Sequence, residues 1–285
     1  MRIDIHTHAF HPKVAARAVA HLNSSYMVHC EGTGTLADLE EDEAAAGLDA
    51  NVVLCAATSP SQVIPANNFA LNVLGSDSRA IAFGTLHPAY GDWERELARL
   101  EQGGIHGLKL HPDFQGISMD DVRLRPIFEA CQGRFCILFH VGSRSISPSA
   151  VPSSPWALMR VLRNFPRLDV IAGHFGGYQM WQYVPEVLGG YRGDHLWLDT
   201  SSTSMFVDGR TLRSLLSLRP FEQYFFGSDW PLYRPSEELE RFQRLSGYGD
   251  GKMDDLVSHA ALLLRAYGML TNRQAPDRAE QTRVE

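Results

Sequence analysis

Arg2-Ile3-Asp4-Ile5-His6-Thr7-His8, at the head of the chain, reads as a short apolar strand that ends in two histidines one residue apart. Side chains alternate along a strand, so His6 and His8 share a face and Thr7 points the other way. Seven further apolar runs follow: Asn51–Cys55, Ile81–Leu86, Gly107–Leu110, Cys136–Phe139, Asp169–Ala172, Leu196–Asp199 and Tyr224–Phe226. Most of the gaps between them carry helical spacing. Trp93, Leu97 and Leu100 form one stripe, Leu212, Leu215 and Leu216 a second, and Leu256, Ala260, Leu263, Leu264 and Tyr267 a third. Thr35 with Asp38 has the form of a capping box that opens a helix toward Ala46. Continuous apolar strands alternating with helices, without turn-linked hairpins, describe a parallel sheet. Eight such units predict an α/β (β/α)8 TIM barrel.

The composition agrees with one sizeable core. The chain has 285 residues, of which 44% are hydrophobic and 21% charged, and this excludes collagen, coiled coil and wholesale disorder. No linker interrupts it, so residues 1–270 read as a single barrel domain, and the polar stretch 271–285 reads as a disordered tail. The net charge of −7, without a basic block, argues against nucleic acid as a partner. The polar start and the lack of a long apolar run argue against export and membrane insertion, so a soluble cytoplasmic protein is expected. Cys30, Cys55, Cys131 and Cys136 lack metal-site or redox spacing and read as reduced core thiols. The glycines around Gly173 and Gly249 match neither a dinucleotide fingerprint nor a P-loop, so no nucleotide cofactor is expected.

Active-site groups of such a barrel project from the C-terminal ends of its strands. Strand one ends in His6 and His8, strand four in Lys109, strand five in His140, strand six in His174 and strand eight in Asp229. Each has an ordinary structural reading by itself; His87, in Thr85-Leu86-His87-Pro88, reads as a hydrogen-bonded core histidine. Together they describe an open metal site, because imidazole and carboxylate suit borderline divalent cations such as Zn2+. The loop 9–34, with a short helix near Lys13–Leu22, and the Ser/Pro-rich loop 143–155 follow strands and are expected to wall the pocket. Arg144 suits a substrate carboxylate. His111 and Trp230 are candidate substrate contacts, and Tyr178 and Trp181 candidate aromatic walls.

His6-Thr7-His8, Gly107-Leu108-Lys109-Leu110-His111-Pro112, Leu138-Phe139-His140, Ala172-Gly173-His174-Phe175-Gly176-Gly177 and Gly227-Ser228-Asp229-Trp230-Pro231 together resemble the amidohydrolase superfamily. The resemblance runs from residue 1 to about 270, and its nearest branch is the amidohydrolase-related group, which holds metal-dependent hydrolases beside aminocarboxymuconate semialdehyde decarboxylase and the hydroxybenzoate decarboxylases. It implies that His6, His8, His140 and Asp229 hold one divalent metal, Zn2+ first and Mn2+ or Fe2+ as alternatives, with His174 beside it. In binuclear members a carboxylated lysine at the end of strand four bridges two ions; Lys109 occupies that position, and His140 and His174 would then serve the second ion.

The expected activity is hydrolysis of a carbonyl-type bond of a small, carboxylate-bearing molecule by metal-activated water, with Asp229 as proton shuttle and His174 as polarising group. The Lys-Leu-His-Pro segment is a departure from the decarboxylases and favours hydrolysis. Decarboxylation of an aromatic or muconate-like acid is the alternative, and a metal-binding scaffold without turnover a third. Homo-oligomerisation is left open.

Overall fold

A computed structural model of the chain describes residues 1–145 and 147–270. The proposed tail, 271–285, lies outside the described residues. The eight strands are β1 (Ile3–Thr7), β2 (Ala50–Leu54), β3 (Ile81–Phe83), β4 (Gly107–Leu110), β5 (Cys136–Phe139), β6 (Val170–Ala172), β7 (Leu196–Asp199) and β8 (Tyr224–Phe225). They run parallel in sequence order, as ladders over β1–β3 and β4–β8. Both seams between the ladders are hydrogen-bonded. At β3/β4 the Gly84 N–H donates to Gly107 O at 2.9 Å and the Lys109 N–H to Gly84 O at 2.7 Å. At β8/β1 the Ile5 N–H donates to Phe226 O at 3.0 Å, the Asp229 N–H to His6 O at 2.9 Å and the His8 N–H to Trp230 O at 2.7 Å. These bonds close the cylinder, so no strand edge remains open between β8 and β1.

Alternation divides the apolar side chains between two clusters. Val53, Ala82, Leu108, Leu110, Ile137 and Phe139 pack against the surrounding helices. Ile3, Val52, Leu54, Phe83, Leu138 and Ile171 pack together with Ala260, Leu263 and Leu264 of the helix Ala260–Ala266. Because Leu108 and Leu110 face the helices, Lys109 between them faces the barrel interior.

The sequence reading of the strands holds: β4, β5 and β7 have the bounds read from the sequence, β3, β6 and β8 are shorter than the runs read, and β2 starts and ends one residue earlier. The helix expected near Lys13–Leu22 is longer, Pro12–Tyr26, with Pro12 at its first position and Met27 in the left-handed conformation at its end. Thr35 does cap the helix Leu36–Ala45, accepting from the Asp38 N–H at 3.4 Å. The Asp38 carboxylate does not close the box, however. It accepts instead from the Thr33 N–H at 2.6 Å and the Thr33 hydroxyl at 2.7 Å, because Thr33 presents two donors to one oxygen. All four cysteines are buried free thiols, and His87 is buried, its Nδ1 accepting from the Ala89 N–H at 3.2 Å. Among the described residues no helix is long and apolar enough to cross a membrane.

The helix Leu36–Ala45 also carries Glu43, whose carboxyl is buried beside that of Asp4 on β1. Asp4 accepts from the His6 N–H at 2.9 Å and the Ser228 N–H at 3.1 Å, which keeps it the better acceptor of the two. Burial, and then the Asp4 charge, push Glu43 well above the usual carboxylate range. The folded chain therefore retains a proton that the unfolded chain releases above the ordinary Glu pKa, and stability falls as pH rises through that window. Glu43→Gln removes this cost. We expect its melting temperature to match the parent near pH 4 and to exceed it at pH 8, the difference growing by at most about 1.4 kcal/mol per pH unit. Equal melting curves at pH 8 would show that Glu43 is ionised in the fold.

Candidate metal centre

The β8/β1 seam brings together groups far apart in the sequence. His6 Nε2 lies 3.5 Å and His8 Nε2 3.4 Å from the same oxygen, Oδ1 of Asp229, and the three donor atoms all fall within 4.8 Å of one another. The backbone passes closely here: a Cβ at Gly227 would meet His6 Cβ at 2.8 Å, so the residue before Ser228-Asp229 has to be glycine. Asp229 itself has φ of 66°, in the left-handed region, as do His174, Phe175 and Ser202. Four non-glycine residues in that region, three of them bearing polar side chains around one point, mark a candidate functional site where strain is held by the surrounding structure.

The second nitrogen of each histidine sets which one is free. His8 Nδ1 lies 3.1 Å from Leu54 O, which can only accept, so Nδ1 carries the proton and Nε2 keeps its lone pair. His6 Nδ1 is 2.8 Å from Asp199 Oδ2 and is fixed in the same sense. A carboxylate or carbonyl behind each ligating imidazole is the support that metal sites require. Burial opposes the Asp199 charge, yet His6, His174 and the Ser201 hydroxyl hold its carboxyl down to about 2. Asp229 is likewise kept well below the usual range, against burial, by His6, His8 and His174, and its Oδ2 accepts from the Ser202 hydroxyl. Two lone pairs and an ionised carboxylate converging in a buried site fit a divalent cation.

Lys109 is fully buried, with Nζ 3.1 Å from His6 Nε2. Burial pushes its pKa down to about 8, so the neutral amine is within reach at ordinary pH. An ammonium there would take the lone pair that a cation at His6 needs, and a carboxylated Lys109 would not. The other two candidates form a pair of their own. His140 Nε2 lies 2.9 Å from Gly142 O and therefore bears a proton, which leaves its Nδ1 lone pair facing His174 Nε2 at 2.9 Å. His174 Nδ1 lies 3.1 Å from Ser201 O, 2.9 Å from Ser201 Oγ and 3.9 Å from Asp229 Oδ2. The candidate ligands thus divide into His6, His8, Asp229 and Lys109 at one point and a His140–His174 couple beside it.

The substrate candidates separate more widely. Arg144 is exposed on its loop. Trp230 is buried, its indole N–H donating to Asp42 Oδ2 at 2.9 Å and its ring against Gly32, so it props the barrel wall. Tyr178 stands 5.4 Å from the His174 ring and 5.8 Å from Trp181, and the Trp181 indole donates to His174 O at 2.9 Å. His111 stacks on His140 with centroids 3.9 Å apart, and its Nε2 is 2.8 Å from the Tyr26 hydroxyl. Asp199, Ser201, Ser202 and Tyr26 escaped the sequence reading. Asp199 was within reach of it, since the run Leu196-Trp197-Leu198-Asp199 ends in a carboxylate as the other strands end in histidine. Tyr26 sits in a helix whose sequence carries no signal that its last turn overhangs the site.

With this geometry in place, the family comparison is decisive: the amidohydrolase family model matches residues 3–262. The chain belongs to the amidohydrolase family. Solved structures with the same fold include an uncharacterised TIM-barrel protein from Bordetella bronchiseptica (18% identity, TM-score 0.68, 94% of this chain and 99% of that one). Another is a dihydroxybenzoic acid decarboxylase from Polaromonas sp. JS666 with bound manganese and the inhibitor 2-nitroresorcinol (14%, 0.69, 96% and 99%). A third is a candidate 2-pyrone-4,6-dicarboxylic acid hydrolase from Pseudomonas putida (18%, 0.65, 95% and 98%). At such identities the likeness is one of fold, and amidohydrolase relatives of this shape include both decarboxylases and a hydrolase. No curated protein sequence matches. Asp199→Asn keeps the shape behind His6 but loses the charge that orients it. We expect Mn2+ or Zn2+ affinity, measured by calorimetry, to fall about 10- to 100-fold; an unchanged affinity would remove Asp199 from the centre.

Proposed function

We propose that this amidohydrolase is a metal-dependent hydrolase acting on a carbonyl-type bond of a small, carboxylate-bearing molecule. The observation that carries the reading is the convergence of His6 Nε2, His8 Nε2 and Asp229 Oδ1 with the buried Lys109 amine 3.1 Å from His6. His6, His8 and Asp229 would hold the cation, with His140 and Lys109 as further proposed ligands. A divalent ion bound there supplies Lewis acidity and brings the pKa of water to about 7. Zn2+ suits these donors, and the manganese of the Polaromonas relative makes Mn2+ its competitor.

The chain's own groups divide the remaining work. Asp229 is ionised, so it can accept a proton from water and return it to the leaving group. Ser202 holds one of its oxygens and leaves the other facing His6 and His8. His174, brought down to about 4 mainly by burial, is neutral, and its place 3.9 Å from Asp229 suits it to polarise the bond under attack. Tyr178 and Trp181 exclude water from that side.

Decarboxylation of an aromatic acid is the second reading. It is favoured by the ring-lined flank of the site, where Tyr26, Phe114 and Tyr178 surround the stacked His111 and His140, and by the decarboxylases among the relatives.

Elemental analysis of protein purified without chelator, with native intact-mass measurement, separates the two. Two ions per chain and a carbon dioxide adduct on Lys109 are expected for the hydrolase, which would then turn over members of an ester, lactone or amide library. One ion, an unmodified Lys109 and release of carbon dioxide from a hydroxybenzoate would move the assignment to decarboxylase. Whichever bond is broken, Asp229→Asn should lower kcat by about 100- to 10,000-fold without altering the circular dichroism. Retained turnover in that variant would exclude Asp229 as the shuttle.

A further inference from the structure

Tyr26 ends the helix Pro12–Tyr26 that follows β1, and it belongs to none of the strand ends. Its ring lies 6.2 Å from that of His140 and 5.8 Å from that of Tyr178, and both of these contact His174, at 4.6 and 5.4 Å. The helix therefore lays its last aromatic residue over the His140–His174 side of the centre.

The direction of the Tyr26 hydroxyl proton follows from a count of donors and acceptors. His111 caps the short helix Pro112–Gln115, and its Nδ1 accepts from the Phe114 N–H at 3.4 Å. A backbone N–H can only donate, so His111 Nδ1 has no proton. An imidazole with one unprotonated nitrogen is neutral. Its single N–H proton is then on Nε2. That nitrogen is 2.8 Å from the Tyr26 oxygen, so His111 donates and Tyr26 accepts. Tyr26 cannot also donate back along the same line. Among the described residues no second partner takes the Tyr26 hydroxyl. A phenol keeps its proton at neutral pH, with an ordinary pKa of about 10, so the O–H remains available to donate.

We infer that His111 holds Tyr26 as a hydrogen-bond donor turned into the site, where its O–H binds an anionic oxygen, carboxylate or phenolate, of the substrate. This rests on the proposed small carboxylate-bearing substrate and adds the group that would recognise it. Tyr26 is a binding residue in this scheme, and His111 is a positioning residue that acts through it. The pairing also gives the loop between β1 and β2 a task. An anion seated on Tyr26 lies under the helix that the loop carries, on the side of the centre where the His140–His174 couple stands.

Two measurements on the metal-loaded full-length protein test the inference. Long-range 1H–15N correlation spectra report the tautomer of each histidine, with the His111 signals assigned by their loss in His111→Gln. The expected form is protonated on Nε2. A His111 protonated on Nδ1 would make Tyr26 the donor to His111 and overturn the inference. The second measurement is titration with 2-nitroresorcinol, followed by its visible absorbance. Tyr26→Phe should weaken binding about 10- to 100-fold, as loss of a hydrogen bond to a charged oxygen does, with metal content unchanged. Equal binding by parent and Tyr26→Phe would also overturn it. Failure of the parent itself to bind 2-nitroresorcinol counts against the aromatic reading of the substrate, and the His111 tautomer then decides the role of Tyr26 by itself.

Discussion

Three backbone hydrogen bonds between the end of β8 and β1 hold the candidate metal centre and close the barrel at the same time. The bonds from Asp229 to His6 and from His8 to Trp230 fix the register of residues more than two hundred positions apart. With that register set, His6, His8 and Asp229 have no other place to go than a common point. Gly227 permits the approach, and Asp4 ties it from behind by accepting from the Ser228 and His6 amides. A barrel that failed to close here would separate these candidate ligands and expose a strand edge, which is why strand-end chemistry and fold stability are hard to separate in this architecture.

Around the seam the chain buries four carboxyl groups and keeps them in different states. Asp199 and Asp229 each accept from hydroxyls and face imidazoles, and both stay ionised despite burial. Asp4 has only backbone amides and the Ser228 side chain to offset burial, and it is brought up to about 7. Glu43 has the Asp4 charge beside it and stays protonated. The environment, and not the residue type, assigns each its task. The ionised pair serves the centre, while Glu43 and Asp4 lie behind it, between β1 and the helix Leu36–Ala45. Asp42 on that helix also accepts from the Trp230 indole, so one helix buttresses both strands of the seam.

Much of this was legible in the chain before any coordinates. Continuous apolar runs at regular intervals located all eight strands, because a parallel strand buried on both faces leaves an unbroken Val/Ile/Leu signature. Strand-end histidines, Lys109 and Asp229 were legible for the same reason, since each is a polar residue within or just beyond the C-terminal end of such a run. Capping was only half legible. Thr35 caps as its position predicts, but the partner of Asp38 was decided by the path of the chain at Thr33. Trp230 and His111 show the limit from opposite sides. Both are adjacent to a strand-end residue, yet Trp230 turns to Asp42 on a surrounding helix and His111 turns to Tyr26 across the site.

By itself, then, the sequence determined the strand order, the barrel class and which polar side chains stand at the mouth, because these follow from periodicities of two and 3.6 residues within one segment. The tertiary structure alone decided how those side chains pair. His140 is drawn to His174, Lys109 to His6, His6 to Asp199 and Tyr26 to His111, each pair joining two different βα units. Local spacing carries no information about such contacts. They are settled by the closure of the cylinder and by the need of every buried donor and acceptor to find a partner within about 3 Å.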